Sequence, residues 1–374
     1  MDLRKNLALS DQQSIRLMVK VVTFFWLVTK IWSYKTWITE RLYPVIPPLD
    51  MTQDISPVFH VVLFCLSVIL MVLILISDKK SLLIVLLISE LISCSLDMVR
   101  WQPWEYMYMT ILLLIIIGLH KPGNLRIMLH LFLVSVYLFS GLHKLNREFL
   151  TSIWTQMFLI DLFGFSMEQI LNYKLFFIGL IIPVTEIVFA ILLLISRSKR
   201  KISFLLMAMH VIVLMVIGPA GLKYNSVVWP WNLSLIFILA VLYERPLESV
   251  RKKILIRNLY WLGLWFMMPV LSFSGRWYQY FSFNLYSGKQ DQMYICFPKV
   301  KPEMQPYFEL KNEGLCPDMY CINLQNWAMA EIKSAPVPEP EIYKKVAADL
   351  KLRYADEGVK IFLYHPVNRT LTEL

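Results

Sequence analysis

Ionisable side chains inside long apolar runs are the first candidates for chemistry in this chain, because each is costly there unless paired or hydrated. The clearest run ends Tyr137-Leu138-Phe139-Ser140-Gly141-Leu142-His143-Lys144-Leu145-Asn146. Tyr137, Gly141 and Lys144 follow the i, i+4, i+7 spacing of one helical face. Gly141 lets another backbone come close. Burial disfavours the ammonium form of Lys144, and a neutral amine there could act as a base. The competing reading is a lysine whose stem lies along apolar surface while its head reaches the headgroups.

Pro183-Val184-Thr185-Glu186 and His210 lie near the middles of two consecutive apolar runs. At similar depth a carboxylate and an imidazole can touch and hold a proton, a ligand or a metal. A polar tie between two helices would look the same. No His-x-x-x-His spacing is present, so no metal ligand set is assigned. His143 and Lys144 together with His210 and Glu186 form the candidate catalytic set.

Asp97 and Arg100 stand at i, i+3, a spacing that permits an ion pair, with Glu90 on the same face deeper in the run. Arg100-Trp101-Gln102-Pro103-Trp104 follows. A structural pair closing that end of a bundle is the plainer reading. Gly218-Pro219-Ala220-Gly221 leads through Lys223, Tyr224 and Asn225 to Trp229-Pro230-Trp231-Asn232. Irregular backbone of this kind lines a cavity or closes a simple hairpin. Arg100, Trp104, Tyr137 and Trp229 are therefore the candidates for contacts to a cofactor. His130 reads as interfacial and structural. Walker, dinucleotide-glycine, G-x-S-x-G and H-E-x-x-H patterns are missing, which argues against nucleotide-driven chemistry, serine hydrolysis and zincin proteolysis.

The elements that must carry these residues are apolar helices. Of 374 residues 57% are hydrophobic and 17% charged, against roughly half and a quarter in a soluble domain. Mean hydropathy is +0.55. Nine stretches approach the ~20 residues of a transmembrane helix: about 17–34, 57–77, 81–96, 104–119, 127–143, 174–195, 202–219, 227–243 and 258–273. The expected fold is an all-α polytopic membrane bundle over 1–274, followed by a small α+β domain over 275–374. The first stretch carries Lys20 and Lys30 and has no small-residue cleavage site, so it is not a cleavable signal.

The net charge of +10 resolves by topology. With the N-terminus inside, segments 1–16, 78–80, 120–126, 196–201 and 244–257 hold sixteen Lys and Arg against five acids. The tail holds twelve of each. Basic loops prefer the cytoplasm, so the tail is expected outside, as in a bacterial inner-membrane protein. Partners follow from this: a lipid bilayer, and no nucleic acid.

Residues 145–173 have apolar spacing at Phe149, Ile153, Trp154, Met157 and Phe158. They suggest an amphipathic helix on the bilayer surface or a lid over a cavity. In the tail, Met293–Phe297, Met319–Leu324 and Val359–Tyr364 look like strands. Trp327–Lys333 and Glu339–Tyr354 look helical. Cys296, Cys316 and Cys321 permit one disulfide of unassigned pairing or three reduced thiols. Cys65 and Cys94 read as bundle packing.

The stretch from Tyr137 through Gly141, Lys144 and Asn146 to Phe149 resembles an end-of-span motif of the vitamin K-dependent carboxylase-like, or horizontally transferred transmembrane domain, family. The order of Glu186, Arg197 and His210 is similar to that family. Asp97, Arg100 and Gln102-Pro103-Trp104 are similar to its bacterial members, as is Phe283-Asn284-Leu285-Tyr286-Ser287-Gly288. The resemblance covers most of residues 15–290. It implies that Lys144 is a base that deprotonates a reduced quinone, in an enzyme modifying an exported peptide or protein. His143 stands where the eukaryotic carboxylase has a second lysine, and that carboxylase has a much longer luminal part. The alternative is a non-enzymatic assembly, immunity or redox partner on the same scaffold, in which Lys144 and His210 would tolerate substitution. A small-molecule carrier is a third class, but neither an inverted repeat nor paired broken helices are seen.

Overall fold

A computed structural model describes residues 10–52, 54–247, 250, 252–309, 316 and 318–374. Asp2, Arg4, Lys5, Glu248, Arg251, Lys311 and Glu313 of the charge tally lie outside these residues. The chain is mostly helical (67%) with one small antiparallel sheet near its end.

The first helix, α1 (Asp11–Trp32), opens on a capping box: Gln13 N–H donates to Ser10 Oγ and Ser10 N–H to Gln13 Oε1. There follow α2 (Pro57–Ile76), α3 (Lys80–Cys94), α4 (Pro103–Gly118) and α5 (Pro122–Lys144). Proline starts α2, α4 and α5, where its missing N–H has no intrahelical partner to lose. Then come α6 (Ile181–Ile195), α7 (Lys199–Ile217) and α8 (Val228–Leu242).

Pro57–Ile76, Pro122–Lys144, Leu175–Ile195 and Lys199–Ile217 are long and apolar enough to cross a membrane. Among the described residues, four of the nine expected stretches meet that length and composition. Polar turns at Asp97 and after Gly118 stop α3 and α4 early, and Leu259–Ser274 is a shorter apolar helical run that changes between α, π and 3-10 geometry. Helix α5 is the core: 83% of its apolar stretch is buried, against 28 to 33% in the other three. Those three turn apolar residues such as Ile76, Ile181 and Met215 outward, which suits lipid and not water.

Contacts sort the loops into two ends. Arg126 pairs with Asp11 at 2.9 Å and donates to the carbonyls of Leu242 and Arg245. Arg16 pairs with Asp78 at 3.3 Å. The basic segments therefore gather at one end. The tail packs on the other, together with residues 33–48 and 98–102.

Two buried ion pairs go beyond the sequence expectation. Glu90 binds Lys30, with Nζ at 2.5 Å from its carboxylate, and both side chains are fully buried. Asp97 makes the i, i+3 ion pair with Arg100 Nε at 4.0 Å, pairs more closely with Arg41 and accepts from Ile46 N–H. Arg41 comes closer because Asp97 caps the turn at Val99 and its carboxylate also points to the 41–46 loop. His130 has the contacts of a structural residue. It is fully buried and meets Tyr243 OH at 2.8 Å.

The tail sheet has order β2-β1-β3-β4, all antiparallel, from β1 (Gln292–Phe297), β2 (Tyr320–Asn323), β3 (Lys360–His365) and β4 (Thr370–Glu373). Three strands match expectation. β4 escaped it because all four residues are exposed and show no apolar alternation. Met293, Ile295, Phe297, Ile361 and Leu363 face a core shared with α9 (Leu324–Glu331) and α10 (Pro340–Arg353). The other face holds the Cys296–Cys316 disulfide beside the free, buried Cys321. Burial, with Glu309 nearby, pushes the Cys321 thiol up to about 12. Cys94 is buried, but Cys65 is exposed on the bundle surface.

The buried Glu331 carboxylate fastens the tail to the bundle, and Glu339 ties together the tail's own start and its second helix. Glu331 accepts from Leu42 N–H, Tyr43 N–H and Trp327 Nε1 at 2.6 to 2.9 Å. Glu339 accepts from Gln279 N–H at 2.6 Å. Desolvation, chiefly, lifts the Glu339 carboxyl from 4.5 to about 7. A folded acid above its unfolded value stabilises fully below the unfolded value and loses that stabilisation as pH rises through the folded one. The tail should therefore lose stability between about pH 4.5 and 7, by on the order of 1–3 kcal/mol. Thermal melts across that window should show the slope in the native chain. Glu339→Gln should flatten it, and an unchanged slope would assign it to other groups.

Candidate functional site

Helix α5 presents Tyr137, Ser140, Gly141 and Lys144 on one face, as the spacing requires. Gly141 faces α6, where an added Cβ would lie 2.9 Å from Pro183 O and 3.0 Å from Glu186 Cβ. This close approach brings Glu186 beside Lys144. Lys144 Nζ donates to both Glu186 oxygens at 2.8 Å and to Ser140 Oγ at 2.8 Å. All three ammonium protons are thereby used.

The sequence reading joined Glu186 to His210. The structure gives Glu186 to Lys144 instead. His210 Nε2 meets Tyr137 OH at 2.8 Å, and its Nδ1 meets Asn232 Oδ1 at 2.8 Å. Asn232 in turn donates to Val228 O, which fixes its oxygen toward the imidazole. An amide oxygen accepts only, so Nδ1 carries a proton and Nε2 is free to accept from the Tyr137 hydroxyl. The expectation of an isolated neutral amine also changes, since a carboxylate compensates the ammonium charge.

Both polar groups face one apolar cavity of about 140 Å³. Val136, Ile182, Met209, Val213, Trp231 and Leu235 supply much of its wall. Its roof is the segment expected to be a surface helix or lid. Phe149–Leu162 is a π-helix, and Phe149, Ile153, Met157 and Phe158 close the cavity. Asn146 makes the turn into it: Nδ2 caps His143 O, and Oδ1 accepts from Phe149 N–H. A π-helix of fourteen residues is unusual, since the form mostly occurs as single turns at functional sites.

The segment before the sheet adds to its wall. Phe283 and Tyr286 line the cavity with φ of +54° and +53°. Each such aromatic residue costs about 1–3 kcal/mol in backbone strain. Gly288, at φ +74°, lies against Glu148 O, where a Cβ would come within 2.5 Å. Ile153, Met157, Leu285 and Tyr286 also border a second, more polar cavity of about 400 Å³ between bundle and tail. Gln156, Asn225, Gln290 and Gln325 line it.

Of the expected residues, Lys144, Glu186, His210 and Tyr137 meet here. The others stand elsewhere. His143 stacks on Phe273 with centroids 4.3 Å apart and bonds Ser272 at 3.1 Å. Arg100 is buried among carbonyls, and Trp104 lies edge-on to Trp37. Trp229 donates to Ile217 O and Tyr224 O, holding the Gly218–Asn225 turn. None of these four lines the cavity. Sequence reasoning missed the roles of Ser140, Asn232 and Trp231. The helical offsets from Tyr137 to Ser140 and from Val228 to Asn232 carry the first two.

Gly141→Val should push α6 away and part Lys144 from Glu186. Overpacking of this kind costs about 1–3 kcal/mol. A thermal melt should show that loss, and a native melt would mean that α6 can shift at no cost.

Comparison with protein-family models gives no match to the chain, and neither curated proteins nor solved structures give one.

Proposed function

We propose that the chain is a membrane-embedded enzyme that modifies a polypeptide exported across a bacterial inner membrane, using a reduced quinone. The observation that carries this reading is the convergence of Lys144–Glu186 and Tyr137–His210–Asn232 on one apolar cavity. An apolar pocket with few convergent polar groups is the usual form of a small-molecule site. Its volume, about 140 Å³, is close to a ~150 Å³ apolar cavity that takes up benzene. One six-membered ring fits without rearrangement. The resemblance described above, to the carboxylase-like family, supports the same ligand class.

A reduced quinone, when bound, supplies an acidic ring hydroxyl and two electrons. Val136, Met209 and Trp231 would hold its ring, and the apolar wall would exclude water. Lys144 Nζ donates to the Glu186 carboxylate at 2.8 Å. Passing that proton to Glu186 would leave a neutral amine able to accept a ring proton. Tyr137, held by His210, would orient the ring oxygen. The polar cavity above, shared through Leu285 and Tyr286, gives a polypeptide a route to the same point. The basic end then faces the cytoplasm and the tail faces outside.

The test compares exported proteins, by intact mass, from cells carrying native protein or Lys144→Met/Glu186→Leu. The reading expects a mass difference on at least one exported polypeptide. Identical masses would turn it toward a non-enzymatic membrane partner.

A further inference from the structure

The sheet face turned away from α9 and α10 holds three sulfurs. In the β1–β2 register Cys296 stands directly opposite Cys321, and in the β1–β3 register it stands opposite Lys360. Cys316 arrives from the preceding loop. The three Sγ atoms lie within 4.8 Å of one another, and all three residues are buried. Tyr294, Met319 and Phe362 pack around them. A fold that needs one disulfide has no need of a third buried sulfur at the same point.

We propose that these three cysteines, once the Cys296–Cys316 bond is reduced, form a binding site for a monovalent copper ion. A trigonal site with metal–sulfur bonds of ~2.3 Å needs sulfurs about 4 Å apart. The three sulfurs lie within 4.8 Å of one another. Zinc fits less well, because structural zinc sites take four ligands. Among the described residues no fourth His, Cys or carboxylate ligand atom lies within 4.8 Å of all three sulfurs. The soft neighbour is the Met319 thioether, and thiolate with thioether surroundings select cuprous copper. Lys360 beside Cys296 offsets part of the charge that three thiolates bring.

The chemistry balances with a named reductant. A phosphine and one water cleave Cys296–Cys316, giving two thiols and a phosphine oxide. Cuprous ion then binds the three sulfurs and displaces their protons to solvent. The disulfide form lacks two of the three donors and cannot make the site.

The experiment uses the full chain in a Cys65→Ser background, which removes the exposed thiol. Oxidised and phosphine-reduced protein compete anaerobically for cuprous ion against a chromogenic chelator. The reduced protein should withhold one ion per chain, and the oxidised protein none. Cys321→Ser, which can keep the disulfide and whose fold is checked by circular dichroism, should lower the affinity of the reduced form at least ~100-fold. Equal withholding by both redox forms, or undiminished affinity in Cys321→Ser, would overturn the proposal.

Discussion

Lys144→Met should cost the fold about 3–5 kcal/mol, because it leaves Glu186 buried without its partner. Glu186→Leu should cost a similar amount by stranding the ammonium. Lys144→Met/Glu186→Leu should return the melting temperature close to native, since apolar side chains of similar volume replace a buried pair at little cost. The double variant is the useful protein. It restores stability while removing both proton-handling groups, so loss of ligand binding or modification in it is chemical and not a folding defect. Thermal unfolding in detergent measures the cycle. Additive losses in the double variant would show that the two side chains act independently, against the 2.8 Å geometry.

Arg100→Ala should be the most damaging single change away from the cavity, and Arg100→Lys nearly as bad. The guanidinium donates to Thr36 O, Trp37 O and Ser93 O, and it contacts His60 Nδ1 at 2.8 Å. It is fully buried. Each stranded acceptor costs about 1–3 kcal/mol, and an ammonium cannot reproduce the fork. Both variants should fail to yield folded protein or melt far below native. A variant that folds normally but loses a ligand would instead restore Arg100 to a cofactor role.

This case shows where the sequence was readable. Apolar runs marked the helices, and the face through Tyr137, Gly141 and Lys144 needed only helical periodicity. Gly141 also told that another helix comes close. The partner of Lys144 was not legible, since Glu186 and His210 are both on neighbouring runs. Their choice depends on rotation of α6 and α7, which one sequence does not encode locally. Arg100 and Trp104 looked functional because charge and aromatics at a helix end suit a ligand equally well as a joint. Only the carbonyls of Thr36 and Trp37, more than sixty residues away, show that they form the joint beneath the tail. The π-helical roof was read as a surface helix or lid because its apolar spacing fits either helix type.

The central claim is that the Lys144 cavity receives an aromatic ring with an ionisable hydroxyl. The most direct measurement is an experimental map of the protein with a soluble benzoquinol, kept anaerobic. The account predicts ring density between Val136, Met209 and Trp231, with one ring oxygen within hydrogen-bond distance of Lys144 Nζ or Tyr137 OH. A map with the cavity filled by its own side chains, or with the ring bound elsewhere, would contradict it.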